Sequence, residues 1–119
     1  MARREQMSAE MERCIQRCTE CHNMCLQTIA HCLRMGGKHA SAEHIGLMMD
    51  CAAICETSAK FMLHGSPFHN RTCGVCADVC DECAAECEQM AGGDRTMQMC
   101  AEICRACAQT CHEMASMVV

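Results

Sequence analysis

The sequence predicts an all-α protein: an antiparallel, up-down-up-down four-helix bundle with a cysteine-lined core. Three observations carry this. The spacing C-x3-C-x2-C-x3-C runs from Cys76 to Cys87 and recurs from Cys14 to Cys25 and from Cys100 to Cys111. Steps of three and four follow the helical turn, so all four thiols of each frame share one helix face. No stretch alternates as a strand would, and no linker exceeds about five residues, which makes neighbouring helices antiparallel.

The punctuation sets each helix in turn. The first is expected over about residues 8–35, with Ser8 as N-cap and Gly36-Gly37 as the stop. Ser41 caps the second, about 41–64, which ends before Gly65. Ser66-Pro67 offers a cap and a first-turn proline to the third, about 67–90, which Gly92-Gly93 closes. Asp94 caps the fourth, about 94–117. Gly46 and Gly74 fall inside helices, where close helix contact would explain them.

Extending each frame by helical steps gives four seams. Helix one reads Met7, Met11, Cys14, Cys18, Cys21, Cys25, Thr28, Cys32, Met35. Helix two reads His44, Met48, Cys51, Cys55, Ser58, Met62. Helix three gives His69, Cys73, Cys76, Cys80, Cys83, Cys87, Met90, and helix four gives Met97, Cys100, Cys104, Cys107, Cys111, Met114. Cysteine holds the middle of each seam, and Met and His hold the ends. Glu12, Gln16, Glu20, Asp78, Glu82, Glu86, Glu102, Arg105 and Gln109 are read as the solvated faces.

A chain of 119 residues makes one domain with one core. With 16 Cys, 13 Met and only two aromatics, Phe61 and Phe68, cysteine must fill volume that Leu usually takes. The larger aliphatics, Ile15, Leu26, Ile29, Leu33, Ile45, Leu47, Ile54, Leu63, Val75, Val79 and Ile103, are expected to supply most of the remaining core. A net charge of -5 argues against nucleic acid, and no apolar run is long enough to cross a membrane. Arg3-Arg4 hints at twin-arginine export, but no apolar segment follows. The reading is therefore cytoplasmic, where thiols stay reduced.

The thiol stripes narrow the chemistry. Side chains one turn apart have Cβ atoms roughly 5–6 Å apart, whereas a disulfide needs about 3.8 Å, so bridges within a stripe would strain or break the helix; bridges between helices remain geometrically open, against a reducing compartment. Inert core cysteines in such numbers would forfeit packing for no return. Zinc takes closed tetrahedra, into which a continuous ladder does not divide naturally. Iron–sulfur clusters use cysteines gathered on a loop. Cu(I) is soft, favours thiolate and thioether, and two thiolates one turn apart can clamp it. Buried thiolates without cations would be prohibitive, so each Cu(I) replacing one proton restores neutrality, which gives about one copper per cysteine, ~16 in all. Cys18-Thr19-Glu20-Cys21-His22 matches the c-type haem motif, but it lies mid-helix inside the repeat.

These residues resemble the copper storage proteins, in their cytosolic branch. The resemblance rests on the three frames, on Cys51-Ala52-Ala53-Ile54-Cys55 and on Ser66-Pro67-Phe68-His69 at the start of helix three. It implies multiple Cu(I) ions held inside a pre-formed bundle by thiolate pairs, homotetramers of bundles, and a role in copper storage or detoxification. The metal ligands would be Cys14, Cys18, Cys21, Cys25, Cys32, Cys51, Cys55, Cys73, Cys76, Cys80, Cys83, Cys87, Cys100, Cys104, Cys107 and Cys111. Thr28 and Ser58 occupy seam positions that could hold thiols, which would leave one level poorer in copper.

One bundle end gathers Met35, His39, His44, Met48, Met90 and Met97, and the other Met7, Met11, Met62, His64, His69, Met114 and Met117. Thioether and imidazole at the mouth of a thiolate tube would pass Cu(I) inward, and the Met35/His39/His44/Met48 end is the expected gate. His22, His31 and His112 fall off the seams and are expected to face solvent. The reading is a binding protein, not an enzyme. Its alternatives are a metallothionein-like Zn or Cd buffer and a thiol redox or electron-transfer protein.

Overall fold

The computed structural model describes residues 8–117. Met7 and Arg3-Arg4, invoked above, lie outside them. The four helices are α1 (Ala9–Met35), α2 (Ala42–Leu63), α3 (His69–Ala91) and α4 (Arg95–Ser116), with a 3-10 turn at Gly37–Ala40. The predicted caps form: the side chains of Ser8, Ser41 and Asp94 accept from the backbone N–H of Met11, His44 and Met97. Gly36 and Gly37 have φ of 73° and 58°, a left-handed pair that ends α1 and turns the chain into the 3-10 segment.

The start of α3 differs from the expectation. Ser66 Oγ accepts from Phe68 N at 3.1 Å and Ser66 O from His69 N at 3.3 Å, which closes a turn of its own. Pro67 belongs to that turn, and the α-helix begins at His69.

Each helix packs on the two beside it, α1 and α3 against both α2 and α4, which is the antiparallel four-helix arrangement. The interior departs from the composition argument. The buried cluster consists of cysteine, methionine and alanine alone. Leu26, Leu33, Leu63 and Val75 are exposed, while Ile15, Ile29, Ile45, Leu47, Ile54, Val79 and Ile103 pack on the cluster from its edge. The reason is angular: Leu26, Leu33 and Leu63 each follow a seam residue, roughly 100° further round the helix. Cysteine, methionine and alanine therefore make the centre of the core, and the branched aliphatics only its rim.

The mid-helix glycines are not explained by crowding. A Cβ on Gly46 would meet nothing within 4 Å, and one on Gly74 would touch only Ala115 Cβ at 3.7 Å, an ordinary contact.

Candidate metal centre

Every one of the 16 cysteines is free and 0% exposed. The helix geometry that puts each frame on one face aims all four seams at the bundle axis, where they interleave. Cys21 Sγ lies 3.7 Å from Cys51, 3.6 Å from Cys104 and 4.0 Å from Cys80, so one thiol meets the other three helices. Cys55 lies 3.6 Å from Cys80, 3.7 Å from Cys76 and 3.8 Å from Cys107. Cys14 and Cys18 each approach Cys111 at 3.6 Å. These separations far exceed the ~2.05 Å of a disulfide and are reached with helices intact.

The sulfurs form overlapping groups, each with its Sγ atoms within 4.8 Å of one another: Cys18/Cys76/Cys107/Cys111, Cys21/Cys25/Cys51/Cys104, Cys21/Cys51/Cys55/Cys80, Cys55/Cys76/Cys80/Cys107 and Cys14/Cys73/Cys111. Cys21, Cys51, Cys55, Cys76, Cys80, Cys107 and Cys111 each serve in two groups. Shared corners make a chain of bridged positions, not the separate closed tetrahedra that structural zinc prefers. Cys32, Cys83, Cys87 and Cys100 join none of these groups, although Cys83, Cys87 and Cys100 act on one another's protons.

The thiols control one another's protons. The hydrogen bond from Cys107 leads the causes that push Cys55 and Cys111 up. The hydrogen bond from Cys104 leads those that pull Cys51 and Cys100 down. A thiolate in this network is held by S–H donors around it, but its partners are then kept protonated. Burial opposes charge throughout, so full ionisation requires a cation.

The expected gate is sorted by the structure. His44 Nε2 lies 3.3 Å from Cys32 Sγ, Met97 Sδ 3.4 Å and His39 Nδ1 3.9 Å, which collects imidazole, thioether and thiol at one point. Met48 is fully buried, and Met90 packs on the core and lines a surface hollow with Gly36, Gly37, Lys38, His39 and Gln89. Met35 does not join them: it is the last residue of α1 and is 55% exposed. The Cys32 thiol is pushed up to about 11, by burial first and then by the negative charge of Asp94, Cys100 and Cys83.

Glu86, expected on a solvated face, holds its Oε1 2.8 Å from His44 Nδ1 and orients that ring from a half-exposed position. The turn at Gly65-Ser66 is the signal for it: residues about equidistant from that turn face each other here, as Cys51 faces Cys80 and Cys55 faces Cys76. His31 also differs from expectation, being partly buried with Nε2 2.7 Å from Asp94 Oδ2. His22 pairs with Asn23 and exposed His112 with Asp81, both off the seams.

At the opposite end Met62 Sδ lies 3.8 Å from Cys73 Sγ and Met114 is buried, whereas His69 is occupied by Ser66 O at 2.9 Å. Met11 packs at the edge of the core, and His64 and Met117 are exposed. Thr28 and Ser58 are both 0% exposed. They do not share one level. Cys21 faces Cys51, and Thr28 and Ser58 lie two turns beyond these on antiparallel helices, about 10 Å away in opposite directions.

The comparisons agree with this geometry. A family profile described as copper storage protein matches residues 7–116. The chain is similar to the crystal structure of the Nmul_A1745 protein from Nitrosospira multiformis, at 48% identity and a TM-score of 0.84, covering 90% of this chain and 95% of that one. It is similar to the Cu(I)-bound copper storage protein BsCsp3, at 34% identity and a TM-score of 0.83 over 90% of this chain and 99% of that one. It is also similar to a cytosolic copper storage protein from Streptomyces lividans, at 29% identity and a TM-score of 0.83 over 99% and 98% of the two chains. With its profile matched almost end to end and its thiols gathered on the axis, the chain belongs to the copper storage protein family.

Proposed function

We propose that this protein stores Cu(I) along the axis of its bundle, with all 16 cysteines as ligands and a capacity of about one ion per thiol. The observation that carries this is the union of complete burial with shared sulfur groups. An ion entering a thiol pair breaks two S–H bonds, forms two S–Cu bonds and releases two protons; at one ion per thiol each sulfur bridges two ions, one proton has left per ion, and the filled interior is near neutral. Two or three sulfurs can close on an ion by rotamer adjustment alone, since they already stand 3.6–4.0 Å apart on rigid helices.

Cu(I) enters at the Cys32 end. His39, His44, Met48, Met90 and Met97 form the gate with Cys32, and Met35 is left out of it because of its exposure. The chain acts as one domain and as a binding protein, not a catalyst, and it works in the cytosol as its Streptomyces lividans relative is described to do. Exposed Leu26, Met49 and Leu33 on adjoining α1 and α2 support association of bundles into a homotetramer.

The test is an anaerobic titration of the fully reduced protein with Cu(I) against a coloured chelator. Uptake near one ion per cysteine is the expected outcome. Saturation at one or two ions would replace storage by a carrier or sensor.

A further inference from the structure

Among the described residues, Thr28 Oγ1 and Ser58 Oγ are the buried side-chain oxygens left without a hydrogen-bond partner. Helical hydroxyls ordinarily satisfy themselves by donating to a carbonyl one turn back. This chain does so elsewhere: Thr19 donates to Ile15 O at 2.9 Å, Thr72 to His69 O at 2.9 Å and Thr110 to Cys107 O at 3.1 Å. Thr110 is itself buried, so burial does not prevent the arrangement. Thr28 and Ser58 forgo it, which leaves each hydroxyl desolvated without compensation.

Both residues stand on the seams. Thr28 lies one turn from Cys25 and one from Cys32. Ser58 lies one turn from Cys55, which meets Cys76 at 3.7 Å, and one from Met62, which meets Cys73 at 3.8 Å. A neutral thiol is a weak acceptor, so nothing nearby rewards the hydroxyl proton. A thiolate is a charged acceptor, and hydrogen bonds to it are roughly twice as strong.

From this, and resting on the copper reading above, we infer that Thr28 and Ser58 donate O–H···S hydrogen bonds to copper-bound thiolates beside them. The reaction they follow is plain metal-for-proton exchange: the S–H bond breaks, the S–Cu bond forms, the proton leaves to solvent and no electron is transferred. The hydroxyls are positioning residues. They are unsatisfied while the thiols are protonated and become satisfied when Cu(I) makes thiolates, so they bias the interior toward the loaded state, one near each end.

The signature is a pair of effects of opposite sign. Thr28→Val and Ser58→Ala remove the hydroxyls with little change of volume, while Thr28→Ser and Ser58→Thr keep them. The Tm of the metal-free protein and the Cu(I) affinity, from competition with a chromophoric chelator, are measured for each. The hydroxyl-free variants should melt higher than wild type when metal-free, yet bind their weakest ions about tenfold less tightly. The hydroxyl-keeping variants should follow wild type in affinity. Unchanged affinity in Thr28→Val and Ser58→Ala, or a fall in both Tm and affinity including failure to fold, overturns the inference while leaving storage intact. A wild-type protein that takes up no copper overturns both.

Discussion

Asp94 ties two helices together through one carboxylate. It accepts from Met97 N at 3.1 Å as the cap of α4 and meets His31 of α1 at 2.7 Å. The His31 contact leads the causes that hold its carboxyl below the usual value, with the backbone N–H of Met97 and Thr96 adding to it. A depressed acid stabilises the fold fully above its unfolded pKa, near 3.8, and that contribution is lost as pH falls through the lower folded value. Asp94→Ala should therefore lower stability by about 1–2 kcal/mol at neutral pH and flatten the acid limb below pH ~4, as read by chemical denaturation across pH. At the gate, Met35→Ala should leave the copper-loading rate as it is. His44→Ala combined with Met97→Ala should slow loading without emptying the tube, by stopped-flow uptake. Equal rates in all three proteins would move the gate to the Met62–Met114 end. The sequence pattern allowed Met35 and His44 equally, because periodicity assigns a face but not which residues of a last turn a neighbouring helix covers.

At the level of elements, each helix follows from a repeat that residue spacing made plain. Ser8, Ser41 and Asp94 cap where their identities and positions said they would. Even on α2, with only Cys51 and Cys55, helical steps reached His44, Met48, Ser58 and Met62, all of them buried. What misled was ranking by hydrophobicity. Leu33 carries more apolar surface than Cys32, yet it is 57% exposed because the angle, not the residue type, decides what faces the axis. Glu86 was missed for a related reason: it flanks the seam, and only its distance from the Gly65-Ser66 turn brings it opposite His44. Gly46 offers an element-scale test. With open space where its Cβ would be, Gly46→Ala should raise the stability of the metal-free bundle by about 1 kcal/mol and leave copper capacity unchanged. A loss of stability would mean that α2 uses that gap for contact with another copy.

For the molecule as a whole, a conventional interior has been exchanged for one that gains most when filled. Cysteine and alanine bury less apolar area than Leu or Ile, and the hydroxyls of Thr28 and Ser58 remain unmatched inside. Binding to the folded chain alone adds stability by linkage, so copper should raise the Tm stepwise with equivalents added, and a strong Cu(I) chelator should reverse the rise. The charge, the helical class and the sulfur-lined axis were legible in the sequence, because a register repeated on three helices leaves few ways to pack. Which thiols share groups was not, since that depends on how far each helix slides along its neighbour. The most direct test of an axial copper store is anomalous diffraction at the copper edge from crystals of the fully loaded, reduced protein. The account predicts a row of many peaks along the bundle axis, each within bonding distance of cysteine sulfur. Peaks confined to surface histidines such as His22 and His112, with a copper-free axis, would contradict it.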